Sequence, residues 1–423
     1  MPRSRRNPPT AQTAPAPRLG GLLLIAGLAL AGLLTLRPSE PGLHQPFFCL
    51  ACGPLGLLEF LLNAGLFIPI GLALALLGVP VLVGAAALCL LSGAIELLQA
   101  TVLTGRQPAF GDLAANVLGG VVGLTALRWG ALILRPRPLE LAVILAAALA
   151  APVATVALLR PAAAPTPQWW GQHAHIIGNS YPLSGEVREV RLNGALVADG
   201  ILADQSHPRK VLESDTVRFD ALVTNLVQSP GPAQIAAIAD GAGDWVAWLW
   251  VDGPDLIGGL RLRARDARLR IPEVSVRQAA VHPSAATLQV GITGTRGRLE
   301  ARAGDSASPR TAIRLTTTRT WMLLWPRRLI LSADPRLCTT IWLAAWFGML
   351  GLVLGGPARG LFGAAAGLSV IVWTLAAIPL VSGTPLAAWW EWLSACTGLA
   401  AGVTARWRIP SVTRGDKPLP VRP

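Results

Sequence analysis

Gly93-Ala-Ile-Glu96-Leu-Leu-Gln99, continuing through Arg106 to Asp112-Leu-Ala-Ala-Asn116-Val-Leu-Gly119-Gly-Val-Val-Gly123, is the stretch on which the reading of this chain turns. Acids, amides and glycines stand inside or between two apolar segments long enough to cross a bilayer. A charge near the centre of a membrane helix costs about 2.5–3.5 kcal/mol on insertion scales. Such residues persist where they pair, face water or perform a task, so the working centre of the membrane part is expected here.

Outward from this stretch, apolar runs recur at 19–36, 55–77, 80–101, 114–134, 139–159, 338–356, 361–381 and 386–403. That makes about eight candidate spans, each near the roughly 20 residues a bilayer requires. The composition agrees: 52% hydrophobic and 14% charged residues exclude a purely soluble protein. The formal net charge of +13 would suit nucleic acid, but its placement gives that partner little support, and no nucleic acid is expected. The excess lies beside the apolar runs, at Arg3, Arg5, Arg6 and Arg18, at Arg128, Arg135 and Arg137, at Arg359, and in the tail from Arg406 to Arg422. With the N-terminus in the cytoplasm, alternation puts all of these inside, as the positive-inside rule demands. The outer loops 37–54, 102–113 and 382–385 then hold only Arg37 and Arg106 as bases. The expected location is the inner cell membrane, multi-pass, with both termini cytoplasmic. No small-x-small site follows the first span, so it reads as an uncleaved anchor.

Residues 1–18 read as a disordered cytoplasmic tail, 19–159 as a five-span membrane domain, and Arg160-Pro-Ala-Ala-Ala-Pro-Thr-Pro167 as a proline-rich linker. From 160 to 337 the pattern changes to short apolar or alternating stretches ended by turn dipeptides. Examples are Glu186–Leu192 before Asn193-Gly194, Ala236–Ala239 before Asp240-Gly241, and Asp244–Val251 before Asp252-Gly253, with Leu260-Arg-Leu-Arg263 as a following strand. This spacing predicts an extracytoplasmic all-β sandwich. A three-span bundle at 338–403 and a cytoplasmic tail at 404–423 close the chain. The expected fold class is thus an α-helical integral membrane protein of about eight spans with an inserted all-β jelly-roll sandwich domain.

Glu96 and Gln99 are three apart, and Asp112 and Asn116 four apart, so each pair shares a helix face. Gly119 and Gly123 continue the second face and permit close helix packing. Glu59 and Asn63 repeat the four-residue spacing in the second span. All fall toward the outer leaflet, where Arg106 is the base nearest the carboxylates. Two readings stand: a polar pocket open to the outside, or polar cross-links between helices with Arg106 reaching the headgroups.

These residues resemble the VanZ-like membrane family over about residues 20–135. The matching pattern is Asn63 with Phe67-Ile-Pro-Ile-Gly71, then Glu96-x-x-Gln99, then Arg106, Asp112, Asn116, Gly119 and Gly123, with Glu59 a looser match. The resemblance implies a cell-envelope role linked to resistance to glycopeptide antibiotics, without supplying a mechanism. The outer region is similar to laminin-G-like, concanavalin-type jelly rolls through Phe219–Val223, Pro232–Gly241 and Trp248–Leu256. Such folds often bind glycans.

Within the outer region, Trp245, Trp248 and Trp250 read as core fillers or as a sugar platform. Asp240, Asp244, Asp252 and Asp255 read first as turn residues. His173-Ala-His175 reads as a surface pair, and no metal or other cofactor is expected. Cys89, Cys338 and Cys396 fall in or at spans as small apolar filler. Cys49-Leu-Ala-Cys52, in an outer loop, reads as a structural disulfide or a redox pair.

The function expected from these residues is binding or modification of a lipid-linked glycan or cell-wall component at the outer leaflet. Glu96, Asp112 and Arg106 are the candidate catalytic groups, and Asn63, Gln99, Asn116 and Glu59 line the pocket. If the site is catalytic, a carboxylate serves as acid or base and Arg106 steadies an anion. The alternatives are a non-enzymatic receptor or adaptor binding glycan or protein through the sandwich, and a membrane thiol oxidoreductase using Cys49 and Cys52. Membrane lipids are expected partners in every case.

Overall fold

The computed structural model describes residues 17–36, 47–51, 53, 55–103, 108–134, 136–162, 168–177, 180–241, 243–280, 287–295, 297–304, 310–325, 334–356 and 360–408. The chain divides into two compact units, Met1–Arg135 and Pro136–Pro423.

The first unit consists of α1 (Pro17–Thr35), α2 (Gly56–Leu76), α3 (Val81–Thr101) and α4 (Phe110–Leu134). Small residues draw α2 and α4 together. A Cβ on Gly119 would stand 1.9 Å from the Ala64 carbonyl oxygen, one on Gly123 2.0 Å from that of Ile68, and one on Gly71 1.8 Å from that of Gly120. Backbones this close admit no side chain, which is the packing role expected of Gly119 and Gly123. Ala31, Phe67, Ile70, Leu88 and Ile95 form the apolar centre.

The second unit begins one helix earlier than the composition suggests. α5 (Pro138–Leu158) belongs to it, separate from the four preceding helices. Twelve strands follow among the described residues, in two antiparallel six-stranded sheets. One has the order β4-β1-β6-β7-β8-β9 and the other β12-β11-β10-β5-β2-β3. The strands are β1 (Trp169–His173), β2 (Glu186–Leu192), β3 (Ala195–Leu196), β4 (Gly200–Ile201), β5 (Thr216–Thr224), β6 (Pro232–Asp240), β7 (Trp245–Asp252), β8 (Asp255–Leu260), β9 (Val274–Val276), β10 (Thr287–Thr295), β11 (Arg298–Ala303) and β12 (Arg310–Arg314), with a short helix α6 (His207–Leu212) between β4 and β5. Alternation along β5 sends Val217, Phe219, Ala221 and Val223 inward, each at most 1% exposed, beside Ile292 of β10. From the other sheet, Leu249 of β7 and Gly258 of β8 approach Ile292, so these positions form the layer between the sheets. The expected strand at Leu260–Arg263 ends at Leu260. Beyond it Leu262 bridges to Pro161 and the chain turns back through Arg263–Arg268. Arg160–Ala162 is therefore held at the sandwich edge, with the Ala162 amide donating to the Arg261 carbonyl (3.2 Å). Residues 163–167 of the expected linker lie outside the described residues.

A 3₁₀ segment, Thr317–Leu323, leads from the sandwich to α7 (Pro335–Leu354). Next come α8 (Gly360–Val372), a π turn (Trp373–Ala377), α9 (Ile378–Ser382) and α10 (Trp389–Arg408). Leu343, Phe347, Leu350, Ile371, Leu375 and Leu399 pack these helices together, with Ala148 of α5.

Among the described residues six helical stretches are long and apolar enough to cross a membrane: 17–35, 56–76, 81–101, 138–158, 335–354 and 360–382. In α1, α2, α3 and α5 only 22–28% of the apolar window is buried within the protein. Leu22, Ile25, Leu82, Leu90 and Leu139 stand 68–84% exposed, a surface that suits lipid rather than water. α4 is apolar over Phe110–Ala126, a shorter stretch, and α10 carries Glu391, Arg406 and Arg408.

Candidate functional site

The polar residues of the first unit gather at one end of its helices. This is the end formed by the last turn of α1, the first turns of α2, the last turns of α3 and the first turns of α4. α4 starts four residues before the expected 114, so Asp112 lies inside its first turn. A carboxylate there is favoured by the helix dipole and by the amides that lack an intrahelical partner. Asp112 Oδ1 accepts from Asn63 Nδ2 of α2 at 2.7 Å. Glu96, on α3 and 7% exposed, accepts through Oε2 from the Ala109 amide at 3.0 Å, just before α4. Two acids thus flank one helix start, one from its own turn and one from a neighbour.

Deeper along the same face, Asn116 Nδ2 donates to Ser92 Oγ at 3.0 Å. Both residues are buried, at 2% and 0% exposure. Asn116 Oδ1 has no hydrogen-bond donor among the described residues. Gln99 Nε2 donates to the Thr35 carbonyl at 3.1 Å, which fixes the end of α3 to the end of α1. The structure therefore brings Asn63, Glu96, Gln99, Asp112 and Asn116 together at one end of the first unit. Glu59 is exposed in the first turn of α2. Arg106 and Cys52 lie outside the described residues.

Sequence reasoning missed three contributors: Ser92, the Ala109 amide and the Thr35 carbonyl. Ser92 carried a signal, since it sits four residues before Glu96 on the same face. The two backbone groups carried none.

Cys49 is disulfide-bonded, while Cys89, Cys338 and Cys396 are free. The Cys49 loop lies on the start of α4. The Phe110 amide donates to the Phe47 carbonyl at 3.0 Å, and a Cβ on Gly111 would stand 2.4 Å from the Leu50 carbonyl oxygen. Chemically, the polar end offers two carboxylates that accept protons or hydroxyls, amides held in fixed orientation, and one buried carbonyl oxygen open to a donor.

In the sandwich, Trp248 and Trp250 alternate with the inward Leu249 and so lie on the opposite face of their sheet. There they are buried to 6% and 7% exposure against Ala237 and Ile257, with Ile271 of the returning chain packed on them. Trp248 Nε1 also donates to Glu273 at 3.3 Å. These rings fill a second apolar layer outside the inter-sheet core and present no sugar platform. Asp240 accepts from Arg261 (3.1 Å) and from the Asp244 amide (2.9 Å), and Asp244 pairs with Arg265. Asp255 accepts from the Gln278 amide at 2.9 Å. His175 pairs with Asp199 at 3.0 Å. Burial holds the neighbouring His173 below its ordinary pKa, against the opposing charge of Asp199.

Comparison of the chain with protein-family models, curated proteins and solved structures finds no match.

Proposed function

We propose that the protein is a VanZ-like, multi-pass membrane protein of the cell envelope that binds a lipid-linked glycan or cell-wall precursor at the polar end of its first unit. The observation that carries this reading is the convergence of Glu96, Asp112, Asn63, Gln99 and Asn116 at one end of the unit, with the buried Asn116 Oδ1 lacking a donor among the described residues. Residues serving only as cross-links would be expected to saturate one another. An unmet acceptor beside two carboxylates suits a hydroxyl-rich or amide-bearing ligand. In this reading Arg106 meets the anionic part of the ligand, and either carboxylate is placed to act as acid or base.

Counting α4 and α10 as crossings gives eight spans. The arginine distribution then directs both termini to the cytoplasm and the polar end and the sandwich outward. The sandwich is taken as a laminin-G-like jelly roll. Trp248 and Trp250 are committed to packing, and Asp240 and Asp244 to ion pairs, which weakens the case for a receptor built on them. The loop bearing Cys49 packs on α4, which favours a structural bond over a redox pair.

Native mass spectrometry of the full chain in mild detergent, wild type against Asp112→Asn, tests the reading. A lipid-linked species retained by the wild type and lost from an equally folded variant is the expected result. Equal retention by both, or a bare protein in both, would overturn it.

A further inference from the structure

Many arginines of the sandwich are matched with acids. Arg261 meets Asp240 and Asp266, Arg265 meets Asp244, and Arg302 meets Asp220. Where the sandwich meets the helices of the second unit, three arginines gather without such a partner. A cleft of about 550 Å³ opens there between the end of β12, the 3₁₀ segment and the first turns of α7 and α10. Arg314, Arg319, Arg336, Trp389, Trp390 and Glu391 line it. Among the described residues none of the three guanidinium groups has a carboxylate within ion-pair distance.

Both carboxylates at the cleft are already committed. Glu391, 4% exposed, accepts from Thr318 Oγ1 at 2.7 Å and from the Ala388 amide at 2.6 Å. Asp334 caps α7 by accepting from the Arg336 amide at 2.7 Å. The Nε of Arg319 is buried with no acceptor among the described residues. Burial lowers the pKa of this arginine; the charge of Glu391 opposes that shift, and the smaller effect of Arg314 adds to it. A half-buried cation beside a second cation is costly unless an anion completes the site.

The position of the cleft indicates which anion. α7 is one of the helices long and apolar enough to cross a membrane, and the cleft lies at its first turn. Trp389, which lines the cleft, is 77% exposed, and Leu386, three residues before it, and Leu337, next to Arg336, are 51% and 58% exposed, the mixture found where a protein meets headgroups. Guanidinium forks match phosphate oxygens in pairs. We propose that this cleft binds the phosphate of an anionic membrane lipid, with Arg314, Arg319 and Arg336 on the phosphoryl oxygens and Trp389 at the acyl side. The site is separate from the polar end of the first unit and does not depend on what that end binds.

The test is titration of the detergent-solubilised full chain with dioleoyl phosphatidic acid, dioleoylglycerol and inorganic phosphate, followed by native mass spectrometry. Arg314 and Arg336 are exposed, so Arg314→Gln and Arg336→Gln leave folding intact even if Arg319→Gln does not. Phosphatidic acid is expected to bind the wild type and dioleoylglycerol not. Each single variant should weaken phosphatidic acid about tenfold. Arg188→Gln, which removes an exposed arginine of β2 paired with Glu186, should leave the affinity unchanged. Equal affinity in the Arg314/Arg336 double variant and the wild type would overturn the proposal. So would an equal loss in Arg188→Gln, which would mark diffuse charge attraction, or binding of inorganic phosphate with no added affinity for the lipid.

Discussion

Asn63 and Asp112 meet at 2.7 Å across two helices, and the pair shows what a single polar contact contributes between apolar helices. A hydrogen bond to a charged group is worth about 1.5–3 kcal/mol. Asn63→Ala should therefore lower the unfolding free energy in detergent by about 1.5–3 kcal/mol, seen as a lower thermal midpoint, and Asn63→Gln should recover part of it. His173 supplies a second test, at the edge of the sandwich. Burial lowers its pKa below the ordinary 6.5, so the folded chain resists a proton that the unfolded chain accepts. The associated stability is complete above 6.5 and is lost as the pH falls through the folded value. His173→Gln should flatten the pH dependence of sandwich unfolding over that window, read by tryptophan fluorescence. Of the residues at the polar end, the side chains could be named from spacing alone. Their backbone partners, Ala109 and Thr35, could not, because a carbonyl or amide leaves no mark in the sequence.

At the scale of elements, α2 and α4 are joined by glycine. Gly119 has no room for a Cβ, whereas Gly65 on the same helix pair has nothing within 4 Å of one. Gly119→Ala should cost about 1–3 kcal/mol through overpacking. Gly65→Ala should be neutral or slightly stabilising, since alanine is the better helix former. Thermal denaturation of the two variants side by side decides the matter, and equal effects would show that the helices do not pack as described. The 3₁₀ segment works differently, through hydroxyls. Thr317 donates to the Thr374 carbonyl (2.7 Å), Thr318 to Glu391, and Trp321 Nε1 to Thr339 (3.1 Å). Thr374 lies in the π turn, where the widened helix leaves carbonyls available to outside donors.

For the second unit as a whole, the consequential fact is that sandwich and helices form one compact body. Gly297, in the tight turn between β10 and β11, has φ +79° and would place a Cβ 2.4 Å from Pro385 Cδ, in the connection between α9 and α10. Gly297→Ala faces about 1–2 kcal/mol of left-handed strain together with that collision. Hydrogen exchange should rise in residues 317–323 and 384–391 while the sandwich core stays protected. Unchanged exchange there would contradict the docking.

Apolar run lengths, arginine placement and strand alternation determined from the sequence that this chain is helical and lipid-facing in part, β-structured in part, and polar at one end of its first helices. Those features are local: a helix or strand face is fixed by residues three, four or two positions apart. Only the tertiary structure decided that α5 leaves the first four helices for the second unit, that Trp248 and Trp250 lie outside the inter-sheet core, and that three arginines share one cleft. Arg314, Arg319 and Arg336 come from a strand end, a 3₁₀ turn and a helix start. No spacing rule links such positions, because their proximity depends on how the sandwich settles on the helices.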